Sequence, residues 1–70
     1  MVYGKVLHET KHLALARIDL MDGALAVYII IDKEKPALLG VGLSRRQAFE
    51  SARNAADKKT LEKIEELDLV

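Results

Sequence analysis

Apolar and polar residues alternate with a period near two through much of the first forty positions, then switch to a helical spacing. From His12 to Leu20, Ala14, Ala16, Ile18 and Leu20 fall on one side, with Leu13, Leu15, Arg17 and Asp19 on the other. That alternation predicts a strand. Val2 to Glu9 predicts a second strand, with Val2, Gly4 and Val6 opposite Tyr3, Lys5 and Leu7. A helix over residues 5–21 competes with this reading. It would gather Lys5, His8, Lys11, His12, Asp19 and Asp22 on one side, but it would also place Leu15 among them and Glu9, Thr10 and Arg17 opposite. Strands fit the pattern better.

Asp22-Gly23 marks a hairpin, because glycine takes positive φ at no steric cost. Ala24 to Ile31 is apolar on both faces and rich in β-branched residues, so this strand expects cover on both sides. Asp32 to Pro36 is a charged turn into a last strand, Ala37 to Gly42. Gly40 and Gly42 share a face there, leaving room for another backbone to approach.

A helix follows. Ser44 and Gln47 form a capping box, in which the serine hydroxyl accepts from the Gln47 N–H and the Gln47 side chain reaches back to the cap. Ala48, Phe49, Ala52, Ala55 and Ala56 mark its inner face, the alanines allowing close approach to a sheet. No proline or glycine intervenes, so one helix is predicted to about Glu66, roughly 33 Å long at ~1.5 Å per residue. The stripe drifts at Leu61 and Ile64, so the last two turns are expected to pass beyond the sheet or fray.

The predicted fold is α+β: an antiparallel sheet of three or four strands with one long C-terminal helix on one face, in the order β-β-β-α. All 70 residues form a single domain. One helix cannot cover both faces, so a homodimer burying the second face is expected. Length points the same way, because below ~70–80 residues a core rarely supplies more than about 3–5 kcal/mol. The absence of cysteine removes disulfides as a support. The longest apolar run, Ala24 to Ile31, is far short of the ~20 residues that span a membrane. With no leader segment visible, a cytoplasmic protein without membrane contact is expected.

Formal charge is zero, which does not favour a strongly electrostatic nucleic-acid binder. Charge is segregated, however. Ser44 to Lys59 is net +3, through Arg45, Arg46, Arg53, Lys58 and Lys59, and Thr60 to Val70 is net −3. Arg45 and Arg46 stand where the helix dipole prefers acids. They make the helix start a candidate anion or nucleic-acid site, with Arg53, Lys58 and Lys59 flanking.

Strand, hairpin, strand, Gly40-Val41-Gly42-Leu43 and then an alanine-rich helix resemble the double-stranded-RNA-binding-like fold, in particular the N-terminal domain of small-subunit ribosomal protein five. The likeness covers about Lys5 to Leu61. Ser44, Arg45, Arg46 and Ala48 are similar to the helix start that grips RNA phosphates in that fold. Phe49 departs from the pattern where a further base is expected, and the usual first helix is missing. The resemblance implies structured RNA or a ribosome as partner.

His8-Glu9-Thr10-Lys11-His12 matches H-E-x-x-H, but in a strand or turn instead of the helix that zinc peptidases need. Asp19 or Asp22 would be a distant third ligand. Solvated hairpin histidines are the expectation, with a metal site as the remote alternative and no cofactor. Tyr3 and Tyr28 stand in different strands and are expected in core or interface, not as stacking platforms. Asp19, Asp22 and Asp32 are explained by turns as readily as by catalysis. With no nucleophile–base pair and no phosphate or dinucleotide loop, the chain is expected not to be an enzyme. Two readings remain: a small non-catalytic module that binds RNA or the ribosome through the helix start, or a homo-oligomeric structural or protein-interaction domain.

Overall fold

The computed structural model describes residues 3–69. The expected strand start at Val2 lies outside them, as do the side chains of Tyr3 and Asp22. Four strands, β1 (Tyr3–Glu9), β2 (Leu13–Leu20), β3 (Leu25–Asp32) and β4 (Ala37–Gly42), form one antiparallel sheet in chain order. Residues 5–20 thus form two strands joined by a bend at 10–12, and the competing helix is excluded. Two helices follow, α1 (Arg45–Ala55) and α2 (Lys58–Asp68).

The β1–β2 ladder shifts register between Val6 and His8, and Leu7 packs against the core. That bulge rephases the simple alternation read for this strand. Between β2 and β3 the turn is a single 3-10 turn over Met21–Gly23, closed by Ala24 N–H donating to Met21 O at 3.1 Å. Gly23 takes φ 87°, as expected, but Met21 also enters the left-handed region at 51°. At the other end of the sheet Asp32, only 3% exposed, accepts from the N–H groups of Glu34 (2.9 Å) and Lys35 (3.3 Å) and so shapes the β3–β4 turn.

Gly40 and Gly42 do what their spacing suggests. A Cβ on Gly40 would lie 2.7 Å from Ala52 N, and one on Gly42 would lie 2.6 Å from Ala48 N. α1 therefore rests its backbone directly on β4. Ala48, Phe49 and Ala52 close this seam, all fully buried or nearly so.

The single long helix is corrected to two. At Ala56 the backbone turns extended (ψ 142°), and Asp57 begins α2 by accepting from Thr60 N–H at 2.8 Å. The break lets α2 double back over β2 instead of passing beyond the sheet. Ile64 and Leu67 become 0% exposed and join Leu13, Leu15 and Ile30 in the core. Burying two such side chains contributes about 1.5–3 kcal/mol each. Forgone helical hydrogen bonds cost about 0.5–1.5 kcal/mol each, and Asp57 replaces one of them. Burial wins.

Candidate functional site

Ser44 caps α1 as expected, its Oγ accepting from Gln47 N–H at 3.2 Å. The Gln47 side chain reaches one residue further back than a capping box requires and accepts from Leu43 N–H at 3.0 Å. No acid occupies the first turn.

Of the five cations assigned to this surface, the fold gathers three. Arg45, Arg46, Arg53, Phe49 and Asp68 line a depression of about 340 Å³, and Lys58 and Lys59 do not line it. The Arg45 and Arg53 guanidinium carbons lie 5.5 and 5.4 Å from the Phe49 ring centroid, within cation–π range. Arg53 is engaged further. It donates to both carboxylate oxygens of Glu65, at 2.6 and 3.3 Å, and to Asp68 at 2.6 Å. Those carboxylates, Glu65 first, push its pKa above the ordinary value. Arg45 reaches Asp68 at 3.7 Å, and Arg46 reaches Glu50 at 3.2 Å one helical turn away.

The acidic half of the C-terminal region therefore folds onto the basic half within one chain. Each of the three arginines already has a carboxylate partner, which takes away the free guanidinium pair on which the anion site was premised. Arg46, at 88% side-chain exposure, remains the most open of the three. Lys58 and Lys59 are exposed at the start of α2, with no ion pair among the described residues.

The two histidines have different surroundings. His12 Nδ1 is 2.7 Å from Glu34 Oε1, and that bond holds the Glu34 carboxyl below its ordinary pKa. His8 sits in β1 opposite Leu15. Among the described residues no group of three His, Cys, Asp or Glu side chains is placed to hold a metal. Asp19 pairs with Arg17 at 3.2 Å, at the far end of the β2–β3 ladder from Asp32. Tyr28 is half-buried against the core.

No element among the described residues covers the outer face of the sheet. Register places Val6, Ala16, Ile29 and Val41 in one row across all four strands. Glu9, Ala14, Ile31 and Leu38 form a second row to one side, and Ile18 with Val27 and Leu20 with Leu25 form further rows to the other. Both helices lie on the opposite face, with Leu13, Leu15 and Ile30. Val6 (54%), Leu38 (60%) and Val41 (46%) are correspondingly exposed. The strand pattern had implied a bare second face. The Glu65–Arg53–Asp68 network was missed, because its signal, arginines early and acids late, reads equally well as pairing between chains. No helix among the described residues is long and apolar enough to cross a membrane. In comparisons with protein families, curated proteins and solved structures, nothing matches this chain.

Proposed function

We propose that this chain is a non-catalytic interaction module that pairs with a second copy of itself through the outer face of its sheet. The observation that supports this is the row Val6–Ala16–Ile29–Val41 and its neighbours, an apolar surface spanning every strand. Four strands ~4.8 Å apart and about six residues long at ~3.3 Å each outline roughly 400 Å² per chain. A surface of that size matches the largest apolar patch of a typical monomer, about 300–600 Å², which is often functional. Two copies stacked ~10 Å apart would bury about 800 Å² in all, below the ~1,200 Å² of standard interfaces and in the class of weak, transient contacts. Zero net charge removes the long-range repulsion that would oppose it.

Association with structured RNA or a ribosome would now rest on Arg46, Lys58 and Lys59, the cations left most open. The RNA-binding-like fold resemblance would support it only by analogy.

Light scattering from micromolar to millimolar concentrations tests the pairing. The native chain is expected to pass from monomer to dimer, and Ile29→Lys with Val41→Lys to remain a folded monomer by circular dichroism. A native chain that stays monomeric up to about 1 mM, where even a pairing of about −4 kcal/mol would be half formed, would sink the reading. A short RNA duplex added at low salt serves as the second arm. Binding that the Arg46→Ala/Lys58→Ala/Lys59→Ala variant loses would favour the nucleic-acid reading instead.

A further inference from the structure

We infer that α2 is an exchangeable arm: two copies of the chain can trade it, with Ala56–Asp57 as the hinge. Three observations converge. First, the connection between the helices is only these two residues, and no glycine or proline lies between Ser44 and Val70. Alanine in particular favours a helix interior, so the sequence permits a continuous helix through the break. Second, the break depends on local contacts: the Asp57 carboxylate on Thr60 N–H (2.8 Å) and the Ala56 N–H on Arg53 O (3.3 Å). A straightened hinge replaces both with ordinary helical bonds.

Third, the contacts that hold α2 suit exchange. Arg45 meets Asp68 and Arg53 meets Glu65, pairs disposed about the hinge. In two straightened rods crossing antiparallel, residue 45 of one chain would again stand level with residue 68 of the other, and residue 65 would lie five residues, about 7.5 Å, along from the level of residue 53, within reach of its long side chain. Ile64 and Leu67 would return to the same apolar bed, supplied by the partner's sheet. Every contact that seats α2 within one chain is then remade between chains, which makes exchange a low-cost route to a dimer. A short hinge of this kind invites it. The exchange leaves the outer sheet face uninvolved, so it stands or falls separately from the pairing proposed above.

Two hinge substitutions push in opposite directions. Asp57→Ala removes the cap that favours the closed form, by about five-fold per hinge and about 25-fold for a two-hinge dimer. Lys58→Pro keeps the cap and places proline at the first position of α2, where it is well tolerated. Asp57 already has the extended ψ (178°) that a following proline demands. In a straightened helix the same proline would be an interior breaker.

The chain has no cysteine, so Arg53→Cys with Glu65→Cys supplies a unique thiol pair. Each hinge version is refolded at high concentration and treated with a short thiol-to-thiol crosslinker. Non-reducing denaturing gels then separate links within a chain from links between chains. The native hinge is expected to give a covalent dimer fraction that rises with Asp57→Ala and vanishes with Lys58→Pro. Dimers formed only through the sheet face would run as covalent monomers on this gel. Covalent monomer alone with both the native and Asp57→Ala hinges, or equal dimer fractions with Asp57→Ala and Lys58→Pro, would overturn the exchange. If Asp57→Ala fails to fold, the native hinge against Lys58→Pro still decides.

Discussion

Replacing Gly40 with alanine probes the seam on which the helical layer rests. The added methyl would lie 2.7 Å from Ala52 N and 2.8 Å from Ala52 Cβ, and would press on the Ala48 carbonyl oxygen as well. Carbon contacts relax at about 3.5–4.0 Å, so α1 would have to retreat by roughly 1 Å. Ala48 and Ala52 are 0% and 1% exposed, so no slack exists beside them. Overpacking costs about 1–3 kcal/mol, and backbone obstacles put this case near the top. Alanine's lower chain entropy returns ~0.5–1 kcal/mol, leaving a loss of about 2 kcal/mol. With a urea slope of ~1–1.5 kcal/mol/M for a chain this small, the unfolding midpoint should fall by about 1.5–2 M. Gly4→Ala is the control, since nothing lies within 4 Å of its added Cβ. A Gly40→Ala midpoint within about 0.3 M of the native one, less than a quarter of the expected shift, would refute the close-approach argument.

Other perturbations follow from the same contacts. Phe49→Ala empties a site that is 2% exposed; its loss of about 3–5 kcal/mol is comparable to the whole stability of so small a domain. No cooperative thermal transition should remain, and a clean one would contradict the assigned core. Arg53→Lys gives up the two-pronged bond to Glu65 and the ring contact, but at a half-exposed position this should cost no more than about 1 kcal/mol. That small loss should shrink further in 1 M salt, and a loss insensitive to salt would point to packing instead. Asp32 and Asp57 have pKa values lowered from 3.8, chiefly by the N–H groups of Glu34 and Thr60. A carboxyl whose folded pKa lies below its unfolded one contributes fully above the unfolded value and loses that contribution as pH falls through the folded value. Stability measured by denaturant titration should therefore drop below about pH 4, and Asp32→Asn should flatten that drop.

Period-two alternation placed β2, because a one-residue slip would turn Leu13 and Leu15 out of the core, while β3 was legible from its β-branched run and the turn signals on either side. Gly40 and Gly42 likewise announced the tight approach of α1. Helix continuity was the weak point. Local propensity sees no interruption at Ala56–Asp57, and what breaks the helix is distant: the apolar bed that Ile64 and Leu67 reach only if the chain turns. Asp57 followed by Thr60 three residues later was the one local sign of a second cap. Of the candidate site residues, Arg45 and Arg46 open α1 and Arg53 lies in its last turn, yet all three line one depression. Their carboxylate partners were not foreseen, since charge segregation along a chain does not say whether the halves meet in one molecule or two.

Strand order that follows chain order has a consequence for how the molecule is made. Each new strand finds its upstream neighbour already in place, so contacts at short sequence separation close first and folding should be quick for a sheet protein. α2 leaves the ribosome after all four strands and α1. Until it does, Leu13 and Leu15 lack their lid, and a nascent chain in a crowded setting is for that interval open to a neighbour's tail as readily as to its own.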